Sequence, residues 1–207
     1  MTFQTPKLGT PESLDPVTHG LLLSSATAKL CKNPMSQAPS EADPIFIRHV
    51  QTDDLHALKV LLTDLSPGTL YYRFGRFSTP TWTDEQWQAL CDPDPHRCAN
   101  FVAADQSACE NRAIVGIARL VLDLHLAGAP RSAEFSLVVA DQRQNQGIGQ
   151  RLMHRLIDEA SRRELTSIYG DVLPSNRAML SFCKGLGFVP GSSPSDSRIC
   201  RLTMSIG

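Results

Sequence analysis

An α/β fold built on a mixed central sheet is what this sequence predicts, and three features predict it. The first is an apolar run, Phe135-Ser136-Leu137-Val138-Val139-Ala140, followed by a polar turn that carries Gly147 and Gly149. A helical pattern then places Leu152, Met153, Leu156, Ile157 and Ala160 on one face. The second is a repeat of that strand-to-helix order, from Ser167-Ile168-Tyr169-Gly170-Asp171-Val172 into a helix opened by Asn176. The third is a meander of apolar segments ahead of both, which puts antiparallel strands in the middle of the sheet.

Composition narrows the class. Of the 207 residues 42% are apolar, enough for a sizeable core, and the length suits one domain with additional sequence. A formal net charge of −1 gives no global attraction to nucleic acid or to an anionic membrane. The six cysteines form no Cys-x-x-Cys pair and no disulfide-like spacing, so reduced thiols in the cytosol are expected. No apolar run approaches the roughly 20 residues of a membrane span.

Residues 1–44 are rich in proline, serine and threonine, and Phe3 is their one aromatic residue. They read as a disordered leader, with an ordered domain over 45–207. Ile45-Phe46-Ile47-Arg48-His49-Val50 is the first strand. Thr52 or Asp53 caps a helix bearing Leu55, Leu58, Leu61, Leu62 and Leu65, which Ser66-Pro67-Gly68 breaks. Leu70-Tyr71-Tyr72-Arg73-Phe74 forms a second short helix. Thr83, with Gln86 three positions on, starts a third that runs to about Leu90. Strands follow at Asn100 to Ala104, Ala113 to Val121 and Ala133 to Val139. A helix spans Gly147 to about Glu164. After the second strand-helix pair, Gly185 and Gly187 stop the helix and Arg198 to Ile206 is the last strand.

The glycine-bearing turn ends at a helix N-terminus, where main-chain N–H groups lack internal partners and favour an anion. Two readings fit: a pyrophosphate site, or a strand–helix turn that uses glycine for geometry. Cys91, His96 and Cys98 supply at most three ligands on a proline-broken loop, so no metal is expected.

The motifs and their order together resemble the GNAT superfamily of acyl-CoA N-acyltransferases, over about Ile45 to Ile206. The family's pyrophosphate loop, Gln/Arg-x-x-Gly-x-Gly/Ala, is matched by Gln144-Asn145-Gln146-Gly147-Ile148-Gly149. Its last helix opens on an asparagine and ends before Gly-Phe, matched by Asn176 and Gly187-Phe188. Leu65-Ser66-Pro67 with Leu70-Tyr71-Tyr72-Arg73-Phe74 further resembles the catalytic domain of bacterial Pat-type protein lysine acetyltransferases. The resemblance implies a mixed central sheet with splayed strands flanked by helices. It also implies acetyl transfer from acetyl-CoA to a primary amine, with a protein lysine as the preferred acceptor. A small-molecule amine is the alternative, and a catalytically silent acyl-CoA-binding module is the rival from another class. No nucleic acid or membrane partner is implied, and a monomer or dimer is expected.

The resemblance also assigns roles. A lysine amine of pKa near 10.4 must lose its proton before it attacks. Glu134, at the start of the strand leading to the loop, is the candidate base; otherwise it is a surface carboxylate at a strand end. Main-chain groups of Leu137, Val138 and Val139 pair with the pantetheine arm. Gln144, Asn145, Gln146, Gly147, Ile148, Gly149 and Gln150 cradle the pyrophosphate. Arg143 and Arg151 either add charge toward the 3′-phosphate or merely flank the helix. Asn176 contacts the pantetheine or caps its helix. Cys183 stands where many members carry a tyrosine acid, and is either a proton donor or core packing. Tyr71, Tyr72, Arg73 and Phe74 line the acceptor cleft or pack the corner between helices.

Overall fold

In a computed structural model of the protein, residues 44–107, 113–123 and 131–207 are described. The expected leader lies outside them, apart from Pro44. Strand β1 (Ile45–His49) leads through a 3-10 turn (Thr52–Asp54) into helices α1 (Leu55–Thr63), α2 (Pro67–Phe74) and α3 (Asp84–Cys91). Strands β2 (Cys98–Asp105), β3 (Ala113–Leu122) and β4 (Ser132–Val139) form the meander. Helix α4 (Ile148–Arg162), β5 (Ser167–Val172), α5 (Arg177–Gly185), β6 (Val189–Ser192) and β7 (Cys200–Ser205) complete the chain. The seven strands are ordered β1-β2-β3-β4-β5-β7-β6.

The local signals act largely as expected. Thr83 accepts from the Gln86 N–H, while the Gln86 side chain accepts from the Thr83 N–H, so a capping box opens α3. Ser66 caps α2 with Pro67 in its first turn. Two boundaries differ. Before α1 the stabilising carboxylate is Asp54, not Thr52 or Asp53: it accepts from the Gln51 N–H at 2.7 Å and pairs with Arg48 at 2.6 Å. Strand β6 was not expected, because Val-Pro-Gly-Ser has no apolar alternation. All four residues are exposed, and pairing with β7 is what defines the strand. A proline is tolerated there because β6 is an edge.

The sheet separates two apolar layers. One packs Phe135, Val139, Leu152, Met153, Leu156, Ile168, Cys183 and Phe188 under α4 and α5. The other packs Leu58, Leu62, Leu70, Trp87, Val102, Ile117 and Val138 under α1, α2 and α3. Alternation along β4 therefore sends Phe135, Leu137 and Val139 toward α4 and α5, and Glu134, Ser136 and Val138 toward α2.

Every strand pair is antiparallel except β4 with β5. Those two pair in parallel over three positions only, ending at Glu134 opposite Tyr169. Just beyond that point the Phe135 ring occupies the place of a side chain at 170. A Cβ on Gly170 would lie 2.6 Å from the ring. Phe188, from the Gly-Phe motif, meets the same ring edge-on with centroids 5.1 Å apart. The strands part where this aromatic pair is wedged in. Gly170→Ala is expected to displace a buried ring and to lower stability by about 1–3 kcal/mol. Urea denaturation of the variant against the parent checks it.

Candidate active site

The parting strands leave a cleft with the glycine turn at one end and Glu134 at the other. At the turn, Asn145 and Gly147 are both left-handed, with φ of 60° and 78°. Left-handed residues in such a turn curl successive N–H groups toward one concavity that suits an anion. Gly147 stands at the N-cap of α4 and provides no side-chain cap, so the first N–H groups of that helix keep their capacity for a ligand. Gly147 is required by its backbone conformation. At Gly149 a Cβ would meet Leu137, Phe182 and Val139 at 3.7–3.8 Å, ordinary contact that a small side chain would also make. Gln144 is tied back through its Nε2 to the Val139 carbonyl at 3.1 Å, and Gln146 through its own to the Gln142 carbonyl at 3.1 Å.

The two arginines beside the turn have structural partners. Arg143 pairs with the buried Asp105, and Arg151 donates to the Ile45 carbonyl at 2.6 Å. Both brace the turn against the β1–β2 side of the sheet. Asn176 caps α5, its Oδ1 accepting from the Met179 N–H at 3.1 Å. Cys183 has 0% of its surface exposed within the main core, and burial pushes its thiol up to about 12. An acid held so high in a closed core gives a departing thiolate little help.

At the other end Glu134 is half-buried. Its carboxyl is pushed above the ordinary glutamate range, chiefly by burial, against the opposing charge of Arg73. The carboxylates of Asp171 and Asp123 push it further up, and Arg201 draws it back. Tyr169, its neighbour in β5, donates its hydroxyl to Asp123 at 2.8 Å, and Asp123 also accepts from Ser132 at 2.6 Å. Burial and that hydrogen bond raise the phenol well above its usual range, so Tyr169 stays neutral. The Arg201 guanidinium lies 4.1 Å from the centre of the Tyr169 ring and is paired with Asp171 at 2.7 Å. This polar floor was not foreseen, because its members come from three separate strands and the segment after Leu122.

Asp141 was also missed as a functional residue. This first residue of the turn accepts from the Ser66 N–H at 2.8 Å, the Ser66 hydroxyl at 2.8 Å and the Thr69 hydroxyl at 2.7 Å. Burial opposes the charge, but these bonds hold the carboxyl below its usual range. The N-terminus of α2 is thus fixed to the end of β4. Farther along α2, Tyr72 donates to the Ser175 carbonyl at 3.3 Å, and Arg73 donates to the Ser136 hydroxyl at 2.9 Å. Helix α2 therefore touches both β4 and the approach to α5 and walls the cleft on the side of Glu134. Tyr71 stacks on the exposed Phe77, with centroids 4.5 Å apart, while Phe74 packs edge-on against Trp82. The aromatic segment thus packs the corner between helices, as one of its two expected roles requires. Residues 124–130, between β3 and β4, lie outside the described residues.

Among the described residues no group of three or more metal-ligating side chains comes together, and Cys91 is buried with its thiol raised to about 11. No helix there is long and apolar enough to cross a membrane. A separate hollow of about 330 Å³ is lined by His49, Phe101, Arg155, Asp158, Glu159 and Arg162. It does not share lining with the cleft.

Comparison with known proteins agrees with this architecture. Residues 68–188 match the acetyltransferase (GNAT) family. The chain belongs to that family. It is an acetyltransferase, and acetyl-CoA is its cosubstrate. Acetyltransferase PA5475 of Pseudomonas aeruginosa is 30% identical over 177 residues, spanning 84% of this chain and 90% of the relative. The GNAT domain of Streptomyces lividans PAT superposes with a TM-score of 0.66 at 20% identity, covering 77% of this chain and 89% of that one. YncA of Salmonella typhimurium, a putative acetyltransferase solved with acetyl-CoA, gives 0.63 at 17% identity, covering 80% and 95%.

Removing the Asp141 carboxylate tests the bracing of α2. Asp141→Ala is expected to cost about 1–2 kcal/mol of stability for these part-exposed bonds and to raise KM for the acceptor more than for acetyl-CoA. Equal effects on the two KM values would argue against a selective role at the acceptor wall.

Proposed function

We propose that the acceptor is the side-chain amine of a protein lysine, and that Glu134 removes its proton as the amine attacks the thioester directly. The observation that carries this reading is the setting of Glu134. It is the half-buried carboxylate at the point where β4 leaves β5, on the side walled by α2. Burial holds its proton affinity above that of ordinary glutamate, which brings a carboxylate closer to the operating pH of a base. The amine nitrogen bonds to the acetyl carbon, and the proton it sheds passes to Glu134 directly or through water. The carbon–sulfur bond then breaks and coenzyme A departs as the thiolate.

The parting of β4 and β5 supports the role given to Leu137, Val138 and Val139. Their main chain lies past the last β4–β5 register pair, so the pantetheine arm can pair with it as an added strand would. A main-chain N–H there also suits the oxyanion that forms on the thioester carbonyl. The curled turn from Gln144 to Gln150 supplies N–H groups to the pyrophosphate. Asn176, whose Oδ1 is engaged in capping, can offer its Nδ2 to the pantetheine. No proton transfer is assigned to Cys183.

A small-molecule amine remains the second reading. Tyr169, Asp123 and Asp171 form a compact polar floor around Glu134 that would also suit a free amine.

Glu134→Gln is expected to lower kcat by about 100-fold or more with a lysine peptide. The wild-type rate should fall as pH drops through a value above the usual glutamate range, and that limb should vanish in the variant. Because the folded-state affinity for the proton is raised, Glu134 contributes most stability when protonated and loses it as pH rises through the raised value. The Gln variant should therefore be at least as stable as wild type at pH 8. A variant that transfers acetyl at the wild-type rate would remove Glu134 from the mechanism.

A further inference from the structure

Arg73 is left with a task that the transfer chemistry above does not use. Three other partly buried guanidinium groups of the described chain meet carboxylates. Arg48 meets Asp54 at 2.6 Å, Arg163 meets Glu159 at 2.6 Å, and Arg201 meets Asp171 at 2.7 Å. Arg73 instead donates to the neutral Ser136 hydroxyl at 2.9 Å and lies 4.9 Å from the centre of the Phe74 ring. Among the described residues no carboxylate lies within ion-pair distance of it.

Its surroundings add positive charge. Arg119 is the cross-strand partner of Ser136, so two guanidinium-bearing residues flank that hydroxyl. Desolvation first, and then the charge of Arg119, draw Arg73 down to about 10, while Glu134 acts in the opposite sense. Glu134 attracts Arg73 only from beyond ion-pair contact, and a partly desolvated cation without a carboxylate in direct contact is costly to hold. Where such a group borders a substrate cleft, a ligand that brings the counter-charge removes the cost.

Position fixes what that ligand is. Ser136 follows Glu134 by two residues on the same face of β4, a separation of about 7 Å along a strand. Resting on the reading of Glu134 as base to a lysine amine, we propose that Arg73 forms a carboxylate subsite for the acceptor. The preferred acceptor thus carries a carboxylate roughly 7 Å from the reacting amine, within the span of a strand's two-residue repeat. Arginine suits the task because its planar fork bonds a carboxylate through two N–H groups at once. Two sources offer this chemistry: an acidic side chain beside the target lysine of a protein, and the α-carboxylate of a free amino acid.

The test uses two matched pairs of acceptors with acetyl-CoA, read as kcat/KM from coenzyme A release. One pair is an end-blocked peptide with a single lysine flanked by Glu or by Gln. The other is L-lysine against L-lysinamide. In wild type, the carboxylate member of at least one pair should be favoured by about 10- to 100-fold, the range for a charged hydrogen-bonded pair. The pair that shows the preference identifies the source. In Arg73→Gln the ratio should fall to within about twofold, and Arg73→Lys should restore part of it, since the charge returns without the fork. A purely structural role for Arg73 would slow both members of a pair alike and leave the ratio untouched; that result overturns the subsite. So does a wild-type enzyme indifferent to the carboxylate. If none of the four acceptors is acetylated by protein that binds acetyl-CoA, the lysine reading fails, and the subsite fails with it.

Discussion

The Phe135 ring lying over Gly170 is the contact on which the cleft depends. It stands one residue past the last β4–β5 pair, and Phe188 closes on it from the end of α5. A continuous parallel ladder would seal the sheet and leave no main-chain groups of β4 for a ligand. The ring prevents that from the side of the sheet opposite Glu134. The carboxyl-bearing face is thereby free to be polar, while the other face carries the packing. This division explains how one strand, β4, serves the core with one set of alternate residues and a polar cleft face with the other.

Two elements then turn an opening into a site. The curled turn before α4 presents N–H groups suited to an anion, and its bracing is dense: Arg143 to Asp105, Arg151 to the Ile45 carbonyl, Gln144 to the Val139 carbonyl. Helix α2 is fixed as the opposite wall through bonds to Asp141, Ser136 and Ser175. Between them, Glu134 is half-buried among charges of both signs, with burial outweighing the rest. Its proton affinity is therefore a property of the assembled wall, since Arg73 in α2 is the largest charge opposing the effect of burial.

Much of this was legible in the order of residues. Strong periodicity placed β4, α4, β5 and α5 to within a few positions, the Ser66-Pro67-Gly68 break marked the end of α1, and the Thr83 cap announced α3. The Gly147-Ile148-Gly149 turn was readable because its signals are local: a strand end, two glycines and a helix start. β6 was not readable, since its few exposed residues are a strand only by pairing with β7. Nor were the partners of Asp141, which lie 72 and 75 residues away. A carboxylate next to a turn looks the same in sequence whether it faces water or caps a distant helix. For Arg143 and Cys183, the fold supplied what sequence could not: a buried carboxylate for the first and a closed core for the second.

The Asp141 bridge also bears on how such an enzyme diversifies. Because the residue that begins the glycine-bearing turn also holds the first turn of α2, that helix is not a detachable part of the cleft. A new α2 introduced by recombination must bring residues equivalent to Ser66 and Thr69, or it arrives unanchored beside a carboxylate left without its donors. Sequence change in α2 is thus expected to concentrate past the first turn at Tyr71, whose ring stacks on the exposed Phe77, while Tyr72 and Arg73 tie the helix to Ser175 and Ser136.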